Sequence, residues 1–301
     1  KAIFFDGDLL PEVQEARPHM PSCEHYIGVG EGVDQLAEDG FLSFADVFVD
    51  EPLGADFPGV RGEDLSMILY TSGTTGAPKG VPLTHTNSLA RALGLFMNHG
   101  QKHLSGERAI GLMPLFHTVG MHSVLLSTLL TNGTYYPVKQ FSPLTALELI
   151  EKEKITYIFG TPTHFHMMLT HPDFDRYQTD SVRPLLYAGA PMSQSLVKAC
   201  AEKWTDNITL IYGNTETYNS LFFRHTHHKP GAAICGVFHQ VRVVRFGGTP
   251  EEVVSPGEEG ELIVNTASPE SFQGYWNKPE KTWEKVKNGW DYTGDACKFE
   301  V

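Results

Sequence analysis

Met67-Ile68-Leu69-Tyr70-Thr71-Ser72-Gly73-Thr74-Thr75-Gly76-Ala77-Pro78-Lys79-Gly80 is the stretch around which the rest of the chain can be arranged. The apolar run 67–70 reads as the end of a buried strand, and a helical pattern begins near Thr84 or Thr86. Between them lies a loop of small and hydroxyl residues. Gly73, Gly76 and Gly80 lack a Cβ, so the backbone can bend sharply and turn its N–H groups toward an anion. Ser72, Thr74 and Thr75 add hydroxyl donors, and Lys79 a movable positive charge. This is equipment for a polyphosphate. It is not a Walker A loop, because Lys79 sits between Pro78 and Gly80, and no G-x-G-x-x-G dinucleotide fingerprint occurs in the stretch. On local chemistry alone, a plain surface turn is the other reading of so Ser/Thr/Gly-rich a segment.

The 301 residues suffice for two units, or for one large α/β unit with an appendage. An apolar content of 41% and a charged content of 20% are ordinary for a globular protein, and no apolar run approaches the roughly 20 residues of a membrane span. Cys23, Cys200, Cys235 and Cys297 are widely spaced, without C-x-x-C pairing, which predicts neither a disulfide framework nor a zinc site and makes the cytoplasm the expected compartment. A formal charge of −13 argues against a nucleic-acid surface. It does not argue against ATP, since a few donors in one loop bind phosphate whatever the total charge.

In chain order, 2–5 and 25–30 read as short strands of a scaffold without a catalytic constellation. Beyond the loop, 87–99 places Leu89, Leu93, Phe96 and Met97 at helical spacing, which predicts that this side packs on the sheet. A strand at 109–114 follows. Ser142-Pro143 then opens a helix whose apolar side holds Leu144, Leu147, Leu149 and Ile150. Strand 155–159, a helix through Met167, Met168 and Leu169, strand 185–187, a Ser193-capped helix to Trp204 and strand 208–212 complete the alternation. Such a pattern predicts an α/β fold with a largely parallel sheet between helices, and ligands beyond the carboxyl ends of the strands. From Gly231 the pattern becomes strand-rich, which predicts an α/β core over 1–230 and a small β subdomain over 231–301.

Strand 208–212 ends in Gly213-Asn214-Thr215-Glu216-Thr217. Gly213 admits a ligand close to the backbone, Thr215 offers a hydroxyl, and Glu216 is a hard oxygen ligand suited to Mg²⁺ on nucleotide phosphates. Taken alone, the segment could equally cap a helix. Gly289-Trp290-Asp291-Tyr292-Thr293-Gly294-Asp295 is the third constellation; its last Asp, after a glycine, is on local grounds a turn or capping residue. His117 is flanked by Phe116, a setting in which histidine is more often a packed, hydrogen-bonded residue than a general base. His225, His227 and His228 read as solvated loop residues rather than as a zinc site, and His164 and His166 are weaker still.

Those three segments, in this order, resemble the adenylate-forming superfamily of acyl-CoA synthetases, luciferases and peptide-synthetase adenylation domains. A narrower likeness, over nearly the whole chain, is to aryl-CoA ligases of the 4-chlorobenzoate:CoA ligase type. It is carried by Gly111-Leu112-Met113-Pro114-Leu115-Phe116-His117, Gly160-Thr161-Pro162-Thr163-His164, Asn219-Ser220-Leu221, and Gly257-Glu258-Glu259-Gly260-Glu261-Leu262-Ile263-Val264. The resemblance implies a ligase that joins a benzoate-like acid to CoA through an acyl-adenylate, using ATP and Mg²⁺. It implies nucleotide contacts from Thr71, Ser72, Gly73, Thr74, Thr75, Gly76, Lys79, Ala190, Tyr212, Gly213, Asn214, Thr215 and Asp295, the last clamping the ribose, with Mg²⁺ on Glu216. Thr71, Lys79, His117, Thr215 and Glu216 would carry the chemistry, His117 as a gate for the thiol. The acyl pocket would be formed by His117, Thr118, Val119, Phe159, Ala190, Gly213, Tyr218 and Asn219, where the aromatic Tyr218 departs from the smaller side chain of the chlorobenzoate enzymes. Small-molecule partners are implied, with no nucleic acid and no membrane, and a homodimer is compatible with the likeness. Because the chain opens on Lys1 and stops at Val301, soon after the ribose motif, it is expected to be the large N-terminal domain of a longer protein, incomplete upstream and without the mobile C-terminal domain. An adenylation domain loading a carrier protein, a medium-chain or alicyclic acyl-CoA synthetase and a non-catalytic nucleotide-binding homologue are the competing readings.

Overall fold

The computed structural model describes residues 1–30, 40–48, 59–71, 77–99, 106–228 and 231–300. By compactness the chain divides into residues 1–59 and 60–301. In the first unit, β1 (Ala2–Asp6), β2 (His25–Val29) and β3 (Leu42–Ser43) form a parallel three-stranded sheet. Helix α1 (Leu10–Ala16) covers it over a small core of Phe5, Val13, Tyr26 and Phe41, and α2 (Phe44–Val47) follows β3.

The second unit begins with a hairpin, β4 (Leu65–Thr71) and β5 (Lys79–Thr84). Here the structure corrects the sequence reading twice. The strand before the loop is buried on one face only, Leu69 at 7% exposure while Tyr70 stands at 63%, and the chain returns in an antiparallel strand before any helix begins. Thr84 and Asn87 then cap α3 (His85–His99) reciprocally, each side chain accepting the other's backbone N–H.

Four crossovers build the main sheet. Its elements are β6 (Arg108–Gly111), a wide helical stretch Val119–Leu126 that continues into α4 (Ser127–Leu130), β7 (Thr134–Pro137), α5 (Pro143–Glu153), β8 (Tyr157–Gly160), α6 (Pro162–Leu169), β9 (Leu185–Tyr187), α7 (Gln194–Lys203), β10 (Ile208–Asn214), β11 (Tyr218–Phe223) and β12 (Ile234–Cys235). Their order is β12-β11-β10-β9-β8-β6-β7, parallel from β10 to β7 and antiparallel at the β10, β11 and β12 edge. One apolar cluster lies beneath α5, α6 and α7, with Leu147, Ile150, Phe165, Met168, Val197 and Cys200 against Ile110, Ile158, Leu185 and Ile208. A second lies beneath α3 and the 119–126 stretch, with Leu95, Val119 and Val124 against Ala109, Tyr157, Phe159, Leu186 and Ile211. Helices therefore cover both faces.

Two predicted helix faces hold only in part. In α5, capped by Ser142 and ended by left-handed Lys154, Leu147 and Ile150 are buried and Leu149 packs partly on the same cluster as predicted, while Leu144 is exposed and Ala146 is buried. In α3, Leu89 and Met97 are 52% and 54% exposed, and the buried stripe runs through Asn87, Arg91, Leu95 and Asn98 at the i, i+4, i+8 spacing. Asn87 and Arg91 occupy that stripe because they have partners inside, described below, and Asn98 donates Nδ2 to Gly94 O of its own helix at 2.8 Å.

The strand-rich region is an antiparallel sheet of β13 (Val241–Val244), β14 (Gly260–Asn265), β16 (Trp290–Cys297) and β15 (Val286–Lys287), in that order, with α8 (Pro279–Lys285) leading into β15.

Candidate active site

A cavity of about 640 Å³ opens beyond the carboxyl ends of the parallel strands. Its wall is built from Thr71 at the end of β4, residues 117–119 after β6, 188–191 after β9, 210–216 of β10 and its turn, Asn219 and Phe223 of β11, and Asp295 of β16. Parallel strands end their backbone ladders together, so loops leaving several ends converge there.

Thr71, His117, Thr118, Val119, Ala190, Tyr212, Gly213, Asn214, Thr215, Glu216, Asn219 and Asp295 all meet in that wall. Ser72, Gly73, Thr74, Thr75 and Gly76 lie outside the described residues. Lys79 stands outside the wall at the start of β5, its Nζ 4.7 Å from the centre of the Tyr275 ring, and Tyr275 in turn donates its hydroxyl proton to Glu216 Oε1. Phe159 and Tyr218 are not in the wall. Phe159 is wholly buried in the cluster beneath α3, a side chain whose burial is worth about 1.5–3 kcal/mol and which sheet packing therefore claims. Tyr218 turns inward, its hydroxyl 2.6 Å from Ser123 Oγ and its ring 5.1 Å from the Arg91 guanidinium. Its backbone is left-handed, φ 64°, which rotates the side chain away from the cavity at the start of β11.

No helix follows the Gly213-Asn214-Thr215-Glu216 segment; it is the turn of the β10–β11 hairpin. A register shift falls between Tyr212 and Gly213, and a Cβ on Gly213 would stand 1.7 Å from Tyr218 O, so only glycine lets the strands approach there. Asn214 organises the turn by accepting the Thr217 N–H and hydroxyl on Oδ1 while donating Nδ2 to Asp291 Oδ2 at 3.0 Å. Asp295, exposed on β16, accepts the Tyr212 hydroxyl proton.

The wall suits a phosphate ester. Thr71 Oγ1 is buried and has no hydrogen-bond partner among the described residues, a donor with nothing to donate to. Glu216 is buried, and among the described residues its Oε1 accepts the Tyr275 hydroxyl proton while no hydrogen bond engages its Oε2. One hard carboxylate beside hydroxyls fits Mg²⁺, which takes one or two protein carboxylates and draws its other ligands from phosphates and water. No group of three or more His, Cys, Asp and Glu side chains placed to hold a metal occurs among the described residues. His117 faces the cavity, its Nδ1 accepting the Val119 N–H at 3.2 Å, and partial withdrawal from water lowers its pKa, so it is neutral at pH 7.

The sequence model of AMP-binding enzymes matches residues 2–276. The chain belongs to the AMP-binding enzyme family. Among its relatives are a 4-chlorobenzoate–CoA ligase of an Arthrobacter species, 34% identical over 88% of this chain and 51% of that protein, and a feruloyl-CoA synthase of an Amycolatopsis species, 36% identical over 86% and 50%. A putative long-chain-fatty-acid CoA ligase from Rhodopseudomonas palustris superposes with a TM-score of 0.83 at 23% identity, covering 100% of this chain and 71% of that one, and shows the shared fold. The chain spans about half the length of the curated relatives it matches.

Behind the cavity of this AMP-binding domain lies a buried polar layer that the sequence reading missed. Arg91 is fully buried and donates from Nε to Glu270 O at 2.8 Å, from Nη1 to Thr118 Oγ1 at 3.1 Å and from Nη2 to Thr215 O at 2.9 Å; burial lowers its pKa to about 10, so it stays charged. Thr118 Oγ1 also lies 3.1 Å from His122 Nδ1, and burial, with Arg91 nearby, takes His122 down to about 3. Glu270, 2% exposed, is pushed by burial up to about 9 against the pull of Arg91. Facing it, His239 is held below its usual range by burial. A polar residue at a buried helical position, as at Arg91, was the one signal available in the sequence, and it required knowing which face is buried.

Proposed function

We infer that the full-length protein is an ATP-dependent carboxylic acid:CoA ligase that activates an aromatic, benzoate-like acid as its acyl-adenylate and then passes the acyl group to CoA. The observation that carries this reading is that Thr71, Thr215, Glu216 and Asp295 share one cavity wall with the apolar patch of Val119, Ala190 and Ile211. Nucleotide and acid would thus lie side by side.

In the first half-reaction a carboxylate oxygen bonds to the α-phosphorus of ATP as the bond to pyrophosphate breaks, a step that needs alignment and charge neutralisation more than proton transfer. Thr71 and Thr215 would offer hydroxyls to phosphate oxygens, and the exposed Asp295 carboxylate would accept from ribose hydroxyls. Glu216 would hold Mg²⁺, which when bound offsets charge on the phosphates. Neutral His117 lines the acid's side and acts as a wall rather than as a base. In the second half-reaction the CoA thiol displaces AMP. Aromatic preference is supported by the named substrates of the relatives and by the apolar patch. The fold boundary at 230/231, a cytoplasmic location, supported by four free thiols, and a homodimer belong to the same proposal.

The test is acid-dependent exchange of pyrophosphate into ATP by the full-length protein across benzoates, hydroxy- and aminobenzoates, alicyclic acids and fatty acids, followed by CoA or a carrier protein as acceptor. Benzoates should support the fastest exchange, CoA should discharge the adenylate, and Glu216→Gln should abolish exchange. Exchange confined to fatty acids, or unchanged in Glu216→Gln, would overturn the reading.

A further inference from the structure

Three consecutive carbonyls of the 215–217 turn are each taken by a different interior donor. Arg91 Nη2 donates to Thr215 O at 2.9 Å, the Phe272 N–H to Glu216 O at 2.8 Å, and His239 Nε2 to Thr217 O at 2.6 Å. All three donors are tied to one strap, residues 269–272. Asn87 Nδ2 donates to Pro269 O at 2.7 Å and Ser271 O at 3.1 Å, and Arg91 Nε to Glu270 O at 2.8 Å, so α3 grips the strap along its length. The Glu270 side chain completes the set, with Oε2 3.1 Å from His239 Nδ1. Its Oε1 fills space that exists only because residue 94 is glycine; a Cβ there would stand 1.9 Å away.

Tautomer logic fixes the direction of the pair. His239 spends its Nε2 proton on Thr217 O, which leaves Nδ1 as an acceptor, and the group facing an acceptor must donate. Burial favours the protonated Glu270 carboxyl and the neutral His239 ring, so the 3.1 Å approach of Oε2 to Nδ1 brings the strap against the histidine without burying a net charge. We propose that Glu270 and His239, together with Arg91, are positioning residues that fix the 215–217 turn and thereby the direction in which Glu216 faces the cavity. A buried carbonyl deprived of its donor is costly, so the turn must move when one is removed, and a displacement of about 1 Å at a phosphate or metal ligand is enough to impair binding.

What Glu216 meets is taken from the ligase reading, and the test separates the two. In the full-length protein, the affinity for Mg–ATP is measured by calorimetric titration, with melting temperature alongside, for Glu270→Leu, Glu270→Gln, His239→Leu and Gly94→Ala. Each is also made on a Glu216→Gln background. The Leu variants and Gly94→Ala should weaken Mg–ATP binding at least tenfold below their melting temperatures, and Glu270→Gln, whose amide keeps a donor facing Nδ1, should stay within about twofold of wild type. On the Glu216→Gln background, Glu270→Leu should cost less than about twofold more. Unchanged affinity in the Leu variants, a lowered melting temperature alone, or a full tenfold loss added to that of Glu216→Gln would overturn the proposal; if Glu270→Leu does not fold, His239→Leu and Gly94→Ala decide it. Wild type that binds Mg–ATP but exchanges pyrophosphate with no acid would overturn the ligase reading only, because the affinities still test this one.

Discussion

Replacing Glu270 by Gln should make the protein progressively more stable than wild type as pH rises. The wild-type carboxyl is 2% exposed, wedged where Gly94 leaves room, and burial raises its pKa from the usual 4.5 to about 9. Between those values the folded state keeps a proton that the unfolded state releases, so wild-type stability falls with rising pH by about 1.4 kcal/mol per unit. It is flat below about pH 4.5 and again above about 9. Accumulated to pH 7, the penalty is about 3 kcal/mol relative to acid conditions. Glutamine cannot ionise, keeps the shape, and keeps a donor facing His239 Nδ1. For a unit of this size, 1.4 kcal/mol corresponds to roughly 3–6 °C, so the melting-temperature difference, variant minus wild type, should grow by that amount per pH unit between about pH 5.5 and 8.5. His239, lowered by burial, works in the opposite sense but at pH below the ordinary histidine range, and it is present in both proteins. Scanning calorimetry at constant ionic strength reads the difference directly. Parallel curves, or curves that converge as pH rises, would show that Glu270 is ionised in the folded state and would refute the tautomer argument with it.

Gly213→Ala should cost about 2–3 kcal/mol and abolish nucleotide binding, because the new Cβ meets a backbone oxygen, Tyr218 O, at 1.7 Å, and a backbone atom cannot rotate aside. A melting temperature within about 1 °C of wild type would refute this. Asp295→Ala, at an exposed position, should leave the melting temperature unchanged while weakening ATP binding roughly 10–100-fold, the worth of hydrogen bonds to a charged acceptor. Wild type should also discriminate against 2′-deoxy-ATP, and the variant should not.

The alternation of strands and helices was legible because each parallel strand is a short apolar run bounded by a capped helix, as at Ser142 and Ser193. The β4–β5 hairpin was not: β5 carries Gly80 and Pro82, poor strand residues, and pairs only through a loop that looked like a passage into a helix. The exposed face of α3 was misread for a related reason. Leu89 and Met97 follow helical spacing, but the positions that matter inside are those whose polar groups find partners, and Asn87 and Arg91 find theirs in a segment nearly 180 residues further along the chain. Likewise the turn after β10, with Gly213 and Glu216, could be placed at the ligand end of the sheet from the strand end alone, whereas Asp295, inside β16, was brought to the site only by the family resemblance. Phe159 and Tyr218 could not be assigned correctly, because whether an aromatic faces a cavity or a core depends on helix packing and on one left-handed backbone angle.

The contrast between readable motif and unreadable support has a physical cause. A residue that touches a ligand must sit at a strand end or in a turn of restricted chemistry, which leaves a local signature such as Gly213 beside Glu216. A residue that holds that turn needs only a donor or acceptor at the right point in space, and any part of the chain can supply it. Thr215 O, Glu216 O and Thr217 O take their donors from α3, the 269–272 strap and the segment before β13, three regions with no shared period or spacing. Within this set Arg91 brings a charge into the interior, whereas the Phe272 N–H and the Glu270–His239 pair do not. For that reason the Glu270 carboxyl can be replaced by an amide and cannot be replaced by an alkyl group, and the difference between those two substitutions measures positioning separately from packing.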